Sequence, residues 1–232
     1  VKRLSIFNFL MFTIFLFSLI DAVYGNESVV NRVDYFEAKM FLAEVLTDFD
    51  KKFQELNYDS ERNRVVIKIE TIIDKIESYL ESGQEDAQAN YDLGMTYFLA
   101  KRMEIVNDFG QSNSYYKKAI RINPNYEEAR VLLARNFMEE KQYAEALEQS
   151  IYLLEHDIRD DALKLVAVAK MHMRRFNEAK NDLEKYLEKY PHDESAKALV
   201  WSIKNGKAEG RIKAIEKRYT VIENKVTVVN AQ

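Results

Sequence analysis

The chain contains no cysteine, two prolines, one tryptophan and six glycines in 232 residues. Without cysteine there is no disulfide, no thiolate nucleophile and no lipid-modified cysteine. That absence fits every compartment and assigns none. The scarcity of proline and glycine removes the residues that most often break helices and leaves long stretches rich in Glu, Lys, Ala and Leu, so an all-α chain is expected. A basic excess is also missing. Lys and Arg number 34 against 38 Asp and Glu, a net charge of −4, which leaves no electrostatic footprint for nucleic acid. There is no glycine-rich phosphate loop and no serine elbow. The three histidines, His156, His172 and His192, lack a second ligand at His-x-x-x-His or Glu-x-x-His spacing. No metal, cofactor or catalytic residue is therefore expected, and the chain is not read as an enzyme.

What the chain does have is a period. Phe109-Gly-Gln-Ser112, Tyr143-Ala-Glu-Ala146 and Phe176-Asn-Glu-Ala179 each place a small residue three positions after an aromatic, and the aromatics are 34 and 33 residues apart. Pro124 and Pro191, the two prolines, are 67 apart, which is two periods. A period near 34 residues signals stacked helical hairpins. The pattern has a packing logic. Gly94, Ala134 and Ala167 are small where two helices must approach, as are Ser112, Ala146 and Ala179. Phe109, Tyr143 and Phe176 are large where the gap between hairpins needs filling.

These residues resemble the tetratricopeptide repeat family. Leu93-Gly94 and Tyr97 match its Leu-Gly-x-x-Tyr pattern, and Tyr116, Ala119 and Pro124 continue it. The second unit carries Leu133-Ala134, Phe137, Ala146 and Leu153, with Ile158 where proline is usual, and the third carries Val166-Ala167, Ala179, Leu183, Tyr186 and Pro191. The resemblance implies an all-α, right-handed superhelical stack of helical hairpins, with three units over 87–191 (about 87–126, 127–159 and 160–193). The first unit departs from the family: Tyr97 to Phe109 is 12 positions where about six are expected. An insertion of roughly six residues is thus expected between Leu99 and Asp108. A longer first helix that covers the N-terminal helices is favoured over a protruding element.

The family resemblance also implies a concave groove lined by the first helix of each unit. The matching positions are Tyr91, Met95 and Phe98; Glu128, Val131, Arg135 and Met138; and Lys164, Val168, Met171 and His172. Methionines in such a lining adapt to a partner's apolar side chains, and Arg135 and Lys164 are placed to hold a carboxylate. Tyr91 and Met95 stand where the chaperone-docking subset of the family has carboxylate-gripping residues, so that subset is not expected. The alternative is a groove filled by the chain's own terminal helices.

Outside the repeats, residues 26–86 are expected to form a helical pair. Val29, Val33, Phe36, Met40 and Ala43 follow helical spacing, and Phe41, Val45, Phe49 and Phe53 form a second stripe beside them. Val65, Ile69, Ile72, Ile73, Ile76 and Leu80 mark the next helix, ending near Gly83. The pair is read as a cap or degenerate repeat rather than a dimerising coiled coil, because the apolar spacing is not kept over several heptads. Residues 192–232 read as a capping helix through Trp201, stopped by Gly206, followed by a basic tail with Ile212, Ile215, Tyr219 and Ile222 that is expected to fold back on the stack, the alternative being an amphipathic segment touching anionic lipid.

Residues 1–25 read as an address. Lys2-Arg3 precede an apolar run from Leu4 to Ile20 and a small residue, Gly25, the pattern of a secretory signal with cleavage expected after Gly25. The alternative is an uncleaved membrane anchor, since the run is near the lower length limit for a span. Either way the remainder is expected outside the cytoplasm. The expected function is an exported bacterial adaptor, periplasmic or otherwise extracytoplasmic, that binds segments of other cell-envelope proteins through the groove in assembly, secretion or cell-wall processes; whether the envelope has one membrane or two is left open. A membrane-anchored accessory subunit of a translocation machine is the second reading, and an enzyme or small-ligand domain the third. Oligomeric state is left open.

Overall fold

The computed structural model describes residues 27–52, 59–159 and 161–213. Among the described residues nine helices are numbered, with residues 208–213 helical as well: α1 Glu27–Lys52, α2 Asp59–Glu81, α3 Ala87–Arg102, α4 Gly110–Ile122, α5 Glu127–Glu139, α6 Tyr143–Glu155, α7 Ala162–His172, α8 Phe176–Lys189 and α9 Glu194–Lys204. The expected address at 1–25 and the tail beyond residue 213 lie outside the described residues. No described helix is long and apolar enough to cross a membrane.

The chain divides into two compact units, Val1–Ile122 and Asn123–Gln232. In the first, α1 packs on α2, α2 on α3 and α3 on α4. Its core joins Leu42 and Val45 of α1, Ile69, Ile72 and Ile76 of α2, and Leu93 and Leu99 of α3. The helical pair at 26–86 thus shares one core with the first repeat. In the second unit consecutive helices from α5 to α9 pack on one another. One core there runs from Ala167 and Met171 through Leu183 and Tyr186 to Leu199.

The helices end alike. Lys141 (φ 62°), Arg174 (φ 64°) and Gly206 (φ 65°) adopt left-handed backbone at intervals of 33 and 32 residues. Each donates its N–H to the carbonyl three residues back, and the next N–H reaches five residues back: Gln142 to Phe137 at 2.8 Å, Arg175 to Lys170 at 2.9 Å, Lys207 to Ser202 at 2.8 Å. These are paired end-bonds that satisfy the last carbonyls of a helix. The second helix starts two residues later, at Tyr143, Phe176 and Ala208. The third such turn leads into helical residues 208–213, where Ala208 and Ile212 are buried against α7, α8 and α9. Helix α9 is therefore followed by a helix packed as the second member of a hairpin.

The same turn closes α3, with Glu104 at φ 59° and Ile105 N–H bonded to Ala100 O at 2.9 Å. Here the next helix starts at Gly110, six residues after the left-handed position. The expected insertion is thus resolved into two parts, a longer α3 and four extra residues in the turn. It does not protrude. Met103 and Phe109 are buried, and Ile105 and Val106 pack on the first unit's core.

Starts are shared too. Asp86 caps α3 by accepting from Gln88 N and Ala89 N, and Asp193 caps α9 by accepting from Ala196 N. In both cases a tyrosine seven residues upstream, on the preceding helix, donates to the capping carboxylate: Tyr79 Oη to Asp86 at 3.1 Å and Tyr186 Oη to Asp193 at 2.9 Å. The α2–α3 junction is therefore made like the junction between the third repeat and α9.

Candidate binding surface

The small residues of the period explain how the first helix of a hairpin reaches the second. Ser112 Oγ on α4 donates to Gly94 O on α3 at 2.8 Å, and a Cβ added at Gly94 would lie 2.7 Å from two ring carbons of Tyr116. With that side of α3, α5 and α7 turned to the core, the matching groove positions fall on the remaining faces. They are described within each unit.

In the first unit Tyr91 is half-buried with its ring 5.9 Å from Tyr116, and Met95 packs half-buried on the core. Phe98 is only 6 % exposed and stacks on Phe109 at 5.8 Å. Phe98 is a core residue, because the turn after α3 folds back over it, and its expected place in a lining is corrected. The N-terminal helix α1 reaches α3 here: Tyr35 Oη donates to Asp92 Oδ2 at 2.8 Å, and the Tyr35 ring stacks on Tyr79 at 4.5 Å. Asp92 is buried. Burial raises its carboxyl above the usual range, and the donors Gln88 and Tyr35 temper that rise.

In the second unit Val131 is half-buried and Arg135 exposed, with Glu128 exposed one turn before. Arg135 Nε bonds Glu139 one turn on, at 3.3 Å. Met138 is half-buried against Leu147, Val166 and Ala169, joining α5 to α6 and α7. On α7, Val168 is half-buried on the core. Met171 is 2 % and His172 8 % exposed. The His172 ring lies 4.9 Å from Tyr143. Met171 and His172 are thus corrected to core positions: they sit at the last turn of α7, where α8 folds back.

Lys164 is not held ready for a carboxylate from outside. Its Nζ is 2.6 Å from Asp193 Oδ2 and 2.7 Å from Ser195 Oγ. Asp193 also accepts from Ser195 Oγ at 2.7 Å and from Tyr186. Lys164 foremost, then Ser195 and the Ala196 N–H, hold the Asp193 carboxyl well below the usual carboxylate range. Burial first, then the bond to Asp193, pushes Tyr186 up to about 12. This cluster fastens α7 and α8 to the start of α9.

Of the expected lining positions, Val131, Arg135, Met138, Lys164 and Val168 in the second unit and Tyr91 and Met95 in the first are half-buried or exposed. Two clefts on the second helices were missed in the sequence. One of about 410 Å³ lies between α2 and α4, lined by Glu77, Glu81, Tyr115, Lys118 and Arg121 among others. There Tyr97 and Tyr115 both donate to Glu77 Oε1 at 3.0 Å. The other, of about 380 Å³, lies on α6 between Leu147, Ile151, Tyr152 and Arg130. The Arg130 guanidinium stacks 3.4 Å over the Tyr152 ring. Nothing in spacing marks either cleft, since each is assembled from side chains whose neighbours only folding supplies. Among the described residues no group of three or more His, Asp and Glu is placed to hold a metal ion.

Residues 106–150 match the tetratricopeptide repeat family. The sequence matches no curated protein. The fold is similar to that of MamA, residue 41 to its end, from Desulfovibrio magneticus RS-1, with a TM-score of 0.50 at 14% identity over 83% of this chain and 94% of that one. It is also similar to pilF of Pseudomonas aeruginosa, with a TM-score of 0.52 at 13% identity over 83% of this chain and 78% of that one. At such identities the likeness is one of fold: an all-α architecture of successive packed hairpins.

Proposed function

We propose, from the match of residues 106–150 to the tetratricopeptide repeat family, that this chain is a non-enzymatic adaptor whose first helices hold a segment of another polypeptide. The observation that carries the reading is the pair of half-open positions on α5 and α7, Val131 with Arg135 and Lys164 with Val168. Half-buried Val131 and exposed Arg135 one turn apart on α5, with half-buried Val168 on α7, suit a segment that alternates apolar and polar side chains. Arg135 is the cation nearest to solvent in this set, its side chain 50 % exposed. It meets a carboxylate of the partner by exchanging its bond with Glu139. A photo-crosslinking residue at Arg135 is expected to capture a discrete protein in the source cells, and Val131→Glu with Val168→Glu to abolish that product while the helical circular dichroism is kept. Capture of nothing, or a product indifferent to the double substitution, refutes this surface.

The segment preceding α1 supports a partner in the cell envelope. Lys2-Arg3, the apolar run Leu4–Ile20 and Gly25 support export with cleavage, giving a periplasmic adaptor for assembly, secretion or cell-wall processes. The length of the run supports a second reading, a membrane-anchored accessory subunit facing the same side. N-terminal sequencing of the protein from membrane and soluble fractions separates them: a new end near Asn26 establishes cleavage, and an intact Val1 end in the membrane fraction establishes the anchor.

A further inference from the structure

The outer face of α1 breaks the rule for a terminal hairpin. An end repeat is expected to turn a polar face to water. Ala38, Leu42 and Val45 of α1 are buried against its own unit. On the opposite side of the helix lie Val33, Phe36 and Met40, and Phe36 is 45 % exposed. Val33, Phe36, Met40 and Ala43 are spaced three, four and three residues apart, the alternation of the two seam positions of a coiled-coil heptad.

The charges beside this stripe carry the argument further. Arg32 and Lys39, both exposed, immediately precede Val33 and Met40 along the chain and form one edge. Glu37 and Glu44 immediately follow Phe36 and Ala43 and form the other. One edge is wholly basic and the other wholly acidic. Both glutamates bond lysines of α2, Glu37 to Lys75 at 3.0 Å and Glu44 to Lys68 at 2.6 Å, and their side chains are still 43 % and 52 % exposed. The acidic edge is thus fixed in place and open to a further cation.

The apolar spacing is too short for the extended coiled coil set aside above, but it suffices for a brief seam: we infer that α1 pairs with α1 of a second copy of this chain, parallel and in register, along Val33, Phe36, Met40 and Ala43. In a parallel pair the residue before one seam position faces the residue five places on in the other helix. Arg32 then meets Glu37 of the second copy, Lys39 meets Glu44, and both contacts occur twice by symmetry. An antiparallel pair sets basic edge against basic edge and acidic against acidic, which disfavours it. The parallel arrangement also sets the starts of the two α1 helices side by side.

The test uses the full chain, and the absence of cysteine makes it clean. Sedimentation of the parent is expected to show a reversible monomer–dimer equilibrium. Phe36→Glu is expected to weaken it by at least roughly tenfold, since a carboxylate must be buried in the seam, with helicity unchanged because the site is on the outside. Arg32→Glu leaves the stripe intact and is expected to weaken the dimer at low salt, with the difference from the parent fading as salt screens the edge pairs. Val33→Cys and Met40→Cys, made separately, are each expected to give a disulfide-linked dimer on mild oxidation. Two positions one heptad apart both meet their own counterparts only in a parallel pair. A parent that stays monomeric overturns the proposal, as does association untouched by Phe36→Glu, which is how association through the run at 4–20 would behave. Self-linking at one cysteine position and not the other overturns the parallel arrangement.

Discussion

Gly94→Ala tests the packing logic of the period most directly. Replacing a glycine in mid-helix by alanine ordinarily stabilises by about 1 kcal/mol. Here the new Cβ would sit 2.7 Å from Cδ1 and Cε1 of Tyr116 and 3.2 Å from Ser112 O. Carbon–carbon contacts are relaxed at about 3.5–4.0 Å, so the ring must retreat by nearly an ångström. Tyr116 is fully buried and Ser112 only 1 % exposed, so neither ring nor backbone has room to yield without moving α4 off α3. Overpacking of this kind costs about 1–3 kcal/mol. The contact involves two ring atoms and a carbonyl at once, which places it in the upper part of that range. The expected net effect is a loss of about 1–2 kcal/mol, the propensity gain notwithstanding. Urea unfolding followed by circular dichroism measures it. The internal control is Gly210→Ala, where a Cβ meets nothing within 4 Å, and a gain of up to about 1 kcal/mol is expected. Adding Tyr116→Leu to Gly94→Ala should cost less than the two separate losses combined, by at least about 0.5 kcal/mol, since the smaller side chain relieves the overlap. If Gly94→Ala is as stable as the parent, the close approach of α3 and α4 is not what the small residue is for.

Three further outcomes are expected. Lys141→Gly and Arg174→Gly, at φ 62° and 64°, should each raise stability by about 0.5–1 kcal/mol in urea unfolding, because a side chain is strained where Gly206 (φ 65°) is not. The depressed Asp193 carboxyl contributes stability that is fully present above its unfolded value of about 3.9 and is lost as pH falls from there through the folded value. Unfolding midpoints measured down through this window should flatten in Asp193→Asn, at the expense of a lower midpoint at neutral pH. The raised Asp92 carboxyl has the opposite sign: its contribution is most favourable below the unfolded value and is lost as pH rises through the folded one. Asp92→Asn should therefore leave stability at pH 7 equal or higher, whereas Tyr35→Phe, which strips a donor from the buried carboxylate, should cost about 1–3 kcal/mol.

The hairpins were legible because packing forces a size pattern onto the chain. Gly94, Ser112, Ala146 and Ala179 are small wherever two helix axes close, and that pattern survives in one sequence. The dimensions of the first hairpin were not legible in the same way. Its left-handed turn is made by Glu104, and those that follow by Lys141 and Arg174. Without glycine at those positions, nothing in composition marks where a helix stops, so the longer α3 and the four extra turn residues merged into one apparent insertion. The lining was legible as positions and not as exposure. Phe98, Met171 and His172 share the helical face of Tyr91 and Val168 but lie at the end where the chain doubles back. Of the two cations, Arg135 has Glu139 four residues on, a helix pair that sequence alone allows one to read. Lys164 finds Asp193 across 29 residues, a contact that exists only once α9 is in place.

The tyrosine–aspartate joints at Tyr79–Asp86 and Tyr186–Asp193 bear on how the chain acquires its order. Helix α9 is 11 residues long, shorter than a helix that holds together in water by itself. Its first turn depends on Asp193, and Asp193 is held by Tyr186 and Lys164 from two helices already folded. Its nucleus is therefore supplied by the hairpin before it. The same holds for α3, whose capping Asp86 is gripped by Tyr79 of α2. Each joint couples the order of a hairpin to that of the next helix, because the same carboxylate caps the helix locally and is held by the tyrosine before it. A chain emerging from synthesis has each donor tyrosine in place seven residues before the capping aspartate of the next helix arrives.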